Sequence, residues 1–517
     1  MKKYFVVVFA LTLVFLLMSC KDSKKETPPG FVYIEDGVFK IDSTVFFPLM
    51  INYKVEVRQI GDDVVISAAG YYENGTEKYT KEEINNQFSN HVELINELGF
   101  NSMRICLDVI MCDEIGYYYK SLDDKIYLND ECDKIIDGIA DMVEIAASHN
   151  IKVMLLLKPA FDEELMMFTS KVMRRFADNP AIFAYDLMNE PLYFDPEPKR
   201  KKMDAFRIVS RWRDAVRENA PNHLFTIGFA EPIEVFEWDA SILPVDFVQI
   251  HTYHPLRIPN EIWWYSHYIG KPWMIGETSL PSDNDSVSYE LQCRFVEEVY
   301  QHTINCGGIG FGWWEFQDVL SEHVNFEANY AGLLSQEGVT YTKSGKEIKG
   351  SLKPAAYEFK NLCELKPQKP VKPVNYYNML GYENYIIKGR IVYRKKPVEG
   401  AVVRGWNKYW RVGMNTYTDE NGEFTLYSND SCIYFEISAP GKNKLKFDSD
   451  GLNLKYRSVD GSNNSYTDLK NVNLEYQNIS YFPFLKNDTM LFEFKHEMFD
   501  KARFITDMGV LKLKRIK

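Results

Sequence analysis

The chain has 517 residues, with 60 Lys and Arg against 73 Asp and Glu, so its formal net charge is −13. Nucleic-acid-binding domains usually carry a stripe of basic residues. This sequence has none, so we expect no nucleic-acid partner. Apolar residues make up 45% and charged residues 26%, which is typical of a folded globular protein. The length predicts more than one domain, at about 100–200 residues each.

The first residues are typical of a secretory signal. Lys2 and Lys3 precede an apolar run, Tyr4–Met18, that is too short for a comfortable transmembrane helix. The run ends in Leu-Met-Ser-Cys20, which resembles a bacterial lipobox, and this resemblance implies that Cys20 becomes the lipidated first residue. An ordinary signal peptide with a chance cysteine is the alternative. We therefore expect a signal at 1–19, a polar tether at 20–30 and a lipid anchor at Cys20 that holds the protein in the outer membrane, with its oligomeric state undetermined.

Residues 31–364 alternate between short apolar runs and amphipathic stretches. Eight of these runs are candidate strands: Pro48–Tyr53, Asn101–Leu107, Lys152–Leu157, Ile182–Met188, Leu224–Gly228, Phe247–His251, Trp273–Gly276 and Gly307–Trp313. Several are continuously apolar, which is typical of strands buried on both faces. Apolar residues at helical spacing predict four of the intervening helices, at Lys81–Leu98, Glu131–His149, Phe206–Asn219 and Ser288–Asn305. No glycine-rich loop follows the first strand, as a doubly wound sheet would require. The pattern predicts a (β/α)8 barrel.

The pattern changes after a Pro- and Lys-rich segment, which we interpret as a linker over residues 365–381. Beyond it, Ile386–Val392 and Val398–Arg404 alternate with period two, and Glu420-Asn-Gly422 predicts a turn into another strand. Residues 382–517 are thus predicted to form an all-β sandwich. The predicted fold class is α/β, a (β/α)8 TIM barrel followed by a β-sandwich accessory domain.

Two carboxylates follow predicted strands of the barrel. Asn189-Glu190-Pro191 follows strand four, and Glu277 ends strand seven. Barrel enzymes place their reacting groups at the carboxyl ends of the strands. A pair of carboxylates there is the arrangement used in glycoside hydrolysis, with one as acid/base and the other as nucleophile.

Other strand ends favour the same chemistry. Arg104, after strand two, is a cation that would keep a neighbouring carboxylate ionised. Tyr253, after strand six, offers a phenol to hydrogen-bond that carboxylate, and Trp313, on strand eight, offers an indole to a sugar. His251 and His254 are potential metal ligands, but no third ligand occurs at a suitable spacing, so we expect no metal. No cofactor is implied.

These residues together resemble the glycoside hydrolases of clan A, most closely the family 5 type. The resemblance rests on Gly99-Phe-Asn-Ser-Met-Arg104, Asn189-Glu190-Pro191, His251-x-Tyr253, Gly276-Glu277 and Trp313. It implies that Glu190 is the acid/base, that Glu277 is the nucleophile and that the substrate is a polysaccharide or oligosaccharide. It further implies that Asn189 holds the sugar 2-hydroxyl, Arg104 and Tyr253 flank the nucleophile, His251 lines the site and Trp313 stacks under the sugar.

The sequence departs from that family in two places. Lys158-Pro159 stands where many members have a His, and a long insert that we interpret as a hairpin, Arg58–Tyr79, follows strand one. A laminarin-cleaving family of clan A is therefore an alternative. The resulting hypothesis is a retaining, endo-acting hydrolase of a β-glucan or β-mannan. Its rivals are a catalytically weak glycan-binding surface lipoprotein and an exo-acting or transglycosylating clan A enzyme.

Two further features are open in function. The aromatic cluster Trp263, Trp264, Tyr265 and Tyr268 is interpreted either as a sugar platform or as core packing. The C-terminal region resembles the carboxypeptidase regulatory-like sandwich through Lys388-Gly-Arg-Ile-Val and Thr418-Asp-Glu-Asn-Gly-Glu-Phe424. That resemblance implies a spacer or docking unit, to which we assign no chemistry.

Overall fold

The computed structural model describes residues 27–60, 62–69, 79–107, 119–122, 125–128, 132–157, 166–197, 200–319, 329–379, 382, 384–406, 413–428, 430–432, 434–442, 445–447, 457–458, 481–486, 489–494 and 504–514. The predicted signal segment, Cys20 and Lys158-Pro159 lie outside these residues.

Eight strands form a closed parallel barrel. In chain order they are β1 (Leu49–Ile60), β2 (Ser102–Cys106), β3 (Lys152–Leu156), β4 (Ile182–Asn189), β5 (Leu224–Phe229), β6 (Val248–His251), β7 (Trp273–Glu277) and β8 (Phe311–Trp313). Each pairs in parallel with its neighbour, and β8 closes the ring on β1 through Phe311 and Leu49. The predicted barrel is thereby confirmed.

Helices alternate with these strands. The longer ones are α1 (Lys81–Glu97), α2 (Cys132–Ser148), α3 (Met167–Arg175), α4 (Lys202–Asn219), α5 (Ile258–Tyr268) and α6 (Tyr289–Asn305). Helix α1 begins at Thr80, whose side chain accepts from the backbone of Glu83 while Glu83 reaches back, a capping box. Shorter helical turns lie at Pro191–Phe194, Pro232–Phe236, Ala355–Glu358, Leu362–Glu364 and Tyr376–Met379. Within the described residues, no helix combines the length and the hydropathy needed to span a bilayer.

A small antiparallel sheet covers the amino end of the barrel. Its strands are Val32–Glu35, Val38–Ile41 and Thr44–Val45. Phe39, fully buried, packs edge-to-face on Phe183 and Phe247 from inside the barrel. The Lys152 ammonium, at the start of β3, donates to the Gly30 carbonyl at 3.0 Å. Because this end is sealed, the carboxyl ends of the strands form the accessible mouth.

Strand β1 extends beyond the barrel into a hairpin. Its outer half pairs antiparallel with Asp63–Ala68, from Val55 opposite Ala68 to Ile60 opposite Asp63. The insert predicted after strand one therefore starts three residues earlier than Arg58 and grows directly from a barrel strand. Two smaller hairpins pair Tyr119–Leu122 with Lys125–Leu128 and Val339–Tyr341 with Glu347–Lys349.

The C-terminal region is built from two sheets around their own apolar core. One contains Tyr385–Tyr393, Lys396–Pro397, Glu423–Ser428, Arg457–Ser458 and Phe504–Lys512; the other contains Val402–Trp406, Gly413–Tyr417, Tyr434–Ser438 and Leu445–Phe447. A further ladder joins Tyr481–Lys486 to Thr489–Phe494. Ile387, Val403 and Leu426 are fully buried in the core. The described part is all-β, and the predicted sandwich is confirmed as a fold class.

The sandwich packs on one flank of the barrel. The Trp264 indole of α5 donates to the Gly400 carbonyl at 3.0 Å, and the rings of Tyr268 and Tyr417 lie 5.9 Å apart. On the same flank, the Lys202 ammonium donates to the carbonyls of Ala439 and Lys442. Of the two interpretations of the α5 aromatic cluster, the structure supports packing.

Candidate active site

Glu277, the last residue of β7, lies at the mouth with only 4% of its side chain exposed. Oε1 accepts a hydrogen bond from the guanidinium of Arg104, and Oε2 accepts one from the phenol of Tyr253. Burial alone would raise the pKa of Glu277. The neighbouring His251 and Arg104 charges and the Tyr253 hydrogen bond outweigh burial and hold this pKa below its usual value. The carboxylate is therefore kept ionised.

Arg104, on β2, is fully buried and reaches several strands of the barrel. Nε donates to Oδ2 of Asp186 at 2.9 Å, Nη1 donates to Oδ1 of Asn52 at 2.9 Å, and Nη2 donates to Oδ1 of Asn189 at 3.0 Å. The last contact occupies the amide oxygen of Asn189. Its amide nitrogen is then the donor that this side chain offers to another group.

Asp186, Gln249 and Asn52 support this site, and the sequence analysis missed all three. Asp186 is fully buried on β4 and accepts from the Gln249 amide at 2.7 Å. Burial raises the pKa of Asp186, although the charge of Arg104 opposes that rise. Asn52 donates to the carbonyls of Gly276 and Trp313, both at 2.9 Å. The signal that the sequence offers for them is a polar residue within an otherwise apolar strand, before the strand's carboxyl end.

Glu190 follows β4 and precedes a one-turn helix. Its backbone adopts φ 38° and ψ 76°, a left-handed conformation that is uncommon for a non-glycine residue. The Glu190 amide donates to the Gly228 carbonyl at 3.0 Å, and its carbonyl accepts from Tyr193 and Phe194. These bonds hold the strained backbone, as is common at functional sites. Its side chain is 13% exposed, so it is more open to the mouth than Glu277.

His251, at the end of β6, lies between the two glutamates. Its Nδ1 is 2.9 Å from Oε1 of Glu190 and 3.4 Å from Oε1 of Glu277. The ring fits a notch made by two glycines: a Cβ at Gly228 would lie 2.3 Å from Nε2, and one at Gly276 would lie 2.9 Å from it. Glycine is therefore required at both positions for space.

The glutamates face each other across a short gap. One oxygen from each, together with a ring nitrogen of His251, lies within 4.8 Å of the others. Three such ligands could in principle hold a metal ion. However, Arg104 already occupies Oε1 of Glu277, and its positive charge opposes a cation there. The residues present do not favour a metal.

Trp313 does not lie in the mouth, which corrects the prediction that it stacks under a sugar. It is 0% exposed, donates to the Ala331 carbonyl and packs edge-to-face on Phe295 and Phe359, between the barrel and its outer helices. Trp314, the residue directly after β8, is half-buried and more exposed than Trp313.

The structure brings together most of the predicted site residues: Arg104, Asn189, Glu190, His251, Tyr253 and Glu277. His254 lies apart, since its Nε2 is 3.2 Å from the Tyr376 hydroxyl of the linker. The fold and site define a (β/α)8 barrel with a buried, arginine-paired carboxylate facing a more open one.

Comparison with protein-family models gives no match, and comparison with curated proteins gives none either. Solved structures with a similar barrel exist. An exo-β-1,4-mannosidase from Opitutaceae bacterium strain TAV5 has 15% identity and a TM-score of 0.46, over 64% of this chain and 62% of that enzyme, which is less than two thirds of its length. A β-glucosidase from Thermotoga maritima has 12% identity and a TM-score of 0.42, over 62% of this chain and 98% of that one. An endo-1,4-β-mannanase from Rhizomucor miehei has 14% identity and a TM-score of 0.40, over 58% of this chain and 97% of that one. At these identities the likeness concerns the fold alone.

Proposed function

We propose that the protein is a retaining β-glycoside hydrolase that acts on a β-linked polysaccharide, an endo-acting β-glucanase or β-mannanase by preference. The proposal rests on the pair Glu190 and Glu277. One carboxyl oxygen of Glu190 lies within 4.8 Å of one carboxyl oxygen of Glu277. Retaining glycosidases place their two carboxyl groups about 5–5.5 Å apart, whereas inverting enzymes need a wider gap for water.

In the first step, the Glu190 carboxylic acid donates its proton to the glycosidic oxygen. A carboxylate oxygen of Glu277 attacks the anomeric carbon as the bond to the leaving sugar breaks. The product is a glycosyl ester on Glu277. Arg104 and Tyr253 bind both oxygens of Glu277, which keeps it ionised and fixes its direction of attack.

In the second step, Glu190, now a carboxylate, takes a proton from water. The water oxygen attacks the anomeric carbon, and the ester bond to Glu277 breaks. Two inversions at the same carbon leave the configuration unchanged. Throughout, the amide nitrogen of Asn189, whose oxygen is held by Arg104, is available to the sugar 2-hydroxyl.

The test is release of oligosaccharides from β-glucans, mannans, xylans and galactans by wild type, Glu277→Ala and Glu190→Ala. The control is Glu364→Gln, an exposed carboxylate beyond the barrel. We expect wild type and the control to cut one of these polymers and the two glutamate variants to cut none. NMR should show that the first product released has the β anomeric configuration. Product size separates endo from exo action. A polymer that is bound tightly but never cut would instead make the barrel a glycan receptor.

Localisation is part of the same proposal. We propose that Cys20 carries a lipid that holds the enzyme at the outer membrane. Incorporation of a labelled fatty acid into wild type but not into Cys20→Ala tests this. An unlabelled, secreted wild-type chain would contradict it.

A further inference from the structure

Glu315 lies on the segment that follows β8, close to the candidate nucleophile. The Trp314 amide donates to the Thr278 carbonyl, directly after Glu277, and the Phe316 amide donates to the Asn52 carbonyl, both at 3.0 Å. These two bonds place Glu315 between the carboxyl ends of β7 and β1. It therefore lies on the Glu277 side of the mouth.

The carboxyl group of Glu315 is unusual because it is buried without a partner among the described residues. The residue is 2% exposed, yet within the described residues its side chain has no hydrogen bond and no ion pair. A nearby buried cation, Lys353, is already paired with Asp318 at 2.8 Å and with the Tyr330 carbonyl. Burying a carboxyl group without a hydrogen bond is costly, so such a group indicates a function served by a ligand.

Lys54 is the complementary group on the neighbouring strand. It follows Asn52 by two residues on β1 and therefore shares its inward face. It is opposite Cys106, the last residue of β2, at the level of the mouth. Its positive charge acts on Glu315, but the part of the chain that is described shows no ion pair between them. A carboxyl group and an ammonium group therefore lie on neighbouring segments at the mouth.

We propose that Glu315 and Lys54 form a sugar-binding subsite for the glycone, the sugar that becomes linked to Glu277, and bind neighbouring hydroxyls of it. A hydroxyl both donates and accepts, so a carboxyl group and an ammonium group satisfy adjacent hydroxyls together. The glycone side follows from position, because the leaving sugar lies by Glu190 on β4, across the barrel from β8 and β1. This inference rests on the proposed function.

The experiment uses 4-nitrophenyl β-D-glucoside, β-D-mannoside, β-cellobioside and β-mannobioside, and then the monodeoxy derivatives of whichever the wild type cleaves. The variants are Glu315→Gln and Lys54→Met, with Glu364→Gln and Lys343→Met as exposed controls. We expect Lys54→Met to lower kcat/KM by about 10- to 100-fold, the range for hydrogen bonds to charged groups, and Glu315→Gln to lower it by about 3- to 10-fold, the range for neutral ones. On the deoxy sugar that lacks the contacted hydroxyl, variant and wild type should become nearly equal.

The inference is overturned if both variants stay within about two-fold of wild type, or if their deficit is the same on every deoxy sugar. Failure of the proposed function is distinct, since wild type would then cleave none of the four probes and release no oligosaccharide from any of the polymers. In that case, calorimetry with cellobiose and mannobiose supplies the readout. Weaker binding by Glu315→Gln and Lys54→Met than by the controls supports the subsite, and no binding by wild type overturns it.

Discussion

The Nδ1 atom of His251 lies 2.9 Å from Oε1 of Glu190. The same nitrogen is 3.4 Å from Oε1 of Glu277, so one imidazole contacts both carboxylates. A change in the charge of either glutamate therefore affects the pKa of the other through the His251 ring.

Replacing His251 should move the acid limb of the pH profile. His251 helps to hold the pKa of Glu277 below its usual value, so His251→Ala should raise that pKa. Protonation then removes the nucleophile at a higher pH, and the acid limb of kcat/KM shifts upward. His251→Asn retains a donor near the position of Nδ1 and should shift the limb less. An unchanged acid limb in His251→Ala would show that His251 does not lower the pKa of Glu277.

The two glutamates should respond differently to an added nucleophile. Glu277→Ala and Glu190→Ala should each lower the hydrolysis rate by about 10²-fold or more. With azide and an activated aryl glycoside, Glu190→Ala should yield the β-glycosyl azide, because azide replaces water on the glycosyl-enzyme. Glu277→Ala should yield the α-glycosyl azide by direct displacement. NMR of the azide product gives its anomeric configuration. If Glu190→Ala gave the α-azide and Glu277→Ala the β-azide, Glu190 would be the nucleophile and Glu277 the acid/base.

Removing Arg104 should destabilise the fold as well as the site. Arg104→Met leaves the buried Asp186 and Glu277 without their cation, and breaking a buried ion pair costs about 3–5 kcal/mol. Denaturant unfolding of wild type and variant measures the loss. Adding Asp186→Leu to Arg104→Met should recover part of it, because the uncompensated charge is then gone. A loss under about 1 kcal/mol, as for an exposed pair, would contradict this.

Glu315 should make the protein less stable as the pH rises. Burial raises its pKa from 4.5 to about 8, against the opposing charge of Lys54. Between those values the folded state holds a proton that the unfolded state has released, so the free energy of unfolding falls as pH rises. Glu315→Gln removes this slope. It should be more stable than wild type by several kcal/mol at pH 8 and nearly equal at pH 4.5. Parallel curves for the two proteins would show that Glu315 titrates normally.

The interface between barrel and sandwich should be sensitive to Gly400. A Cβ there would lie 2.4 Å from the Tyr268 ring, while a Cβ at Gly441 meets only ordinary contacts, the nearest at 3.7 Å. Both glycines have φ near 70°, so backbone strain is matched. Gly400→Ala should break the hydrogen bond from the Trp264 indole to the carbonyl of residue 400. Tryptophan fluorescence should then shift to the red, and thermal unfolding should split into two steps. Gly441→Ala should do neither. Equal behaviour of the two variants would argue against a close-packed interface.

The sequence was sufficient for the barrel because eight mostly apolar strands alternate with amphipathic helices, the pattern of a parallel sheet that helices cover. The convergence of Glu190 and Glu277 was predictable for a related reason, since the carboxyl ends of parallel barrel strands meet at one mouth.

The features that the sequence did not predict depend on which face of a strand a residue occupies and on how far it lies from the strand's carboxyl end. Strand β8 has only three residues, and a shift of one residue exchanges its inner and outer faces, so Trp313 and Trp314 could not be told apart. Asp186 lies within β4, before its end, and its role appears only when Arg104 from another strand reaches it. Contacts between strands distant in sequence carry no local signal.

The sheet that seals the amino end of the barrel also separates the point where the chain enters it from the two glutamates. The chain enters beside Gly30 and Lys152, at the pole opposite the glutamates. With a lipid at Cys20, as proposed, the attached pole would face the bilayer and the catalytic pole would face outward. On that proposal, the site would be more accessible to polymers in solution than to glycans anchored in the same membrane.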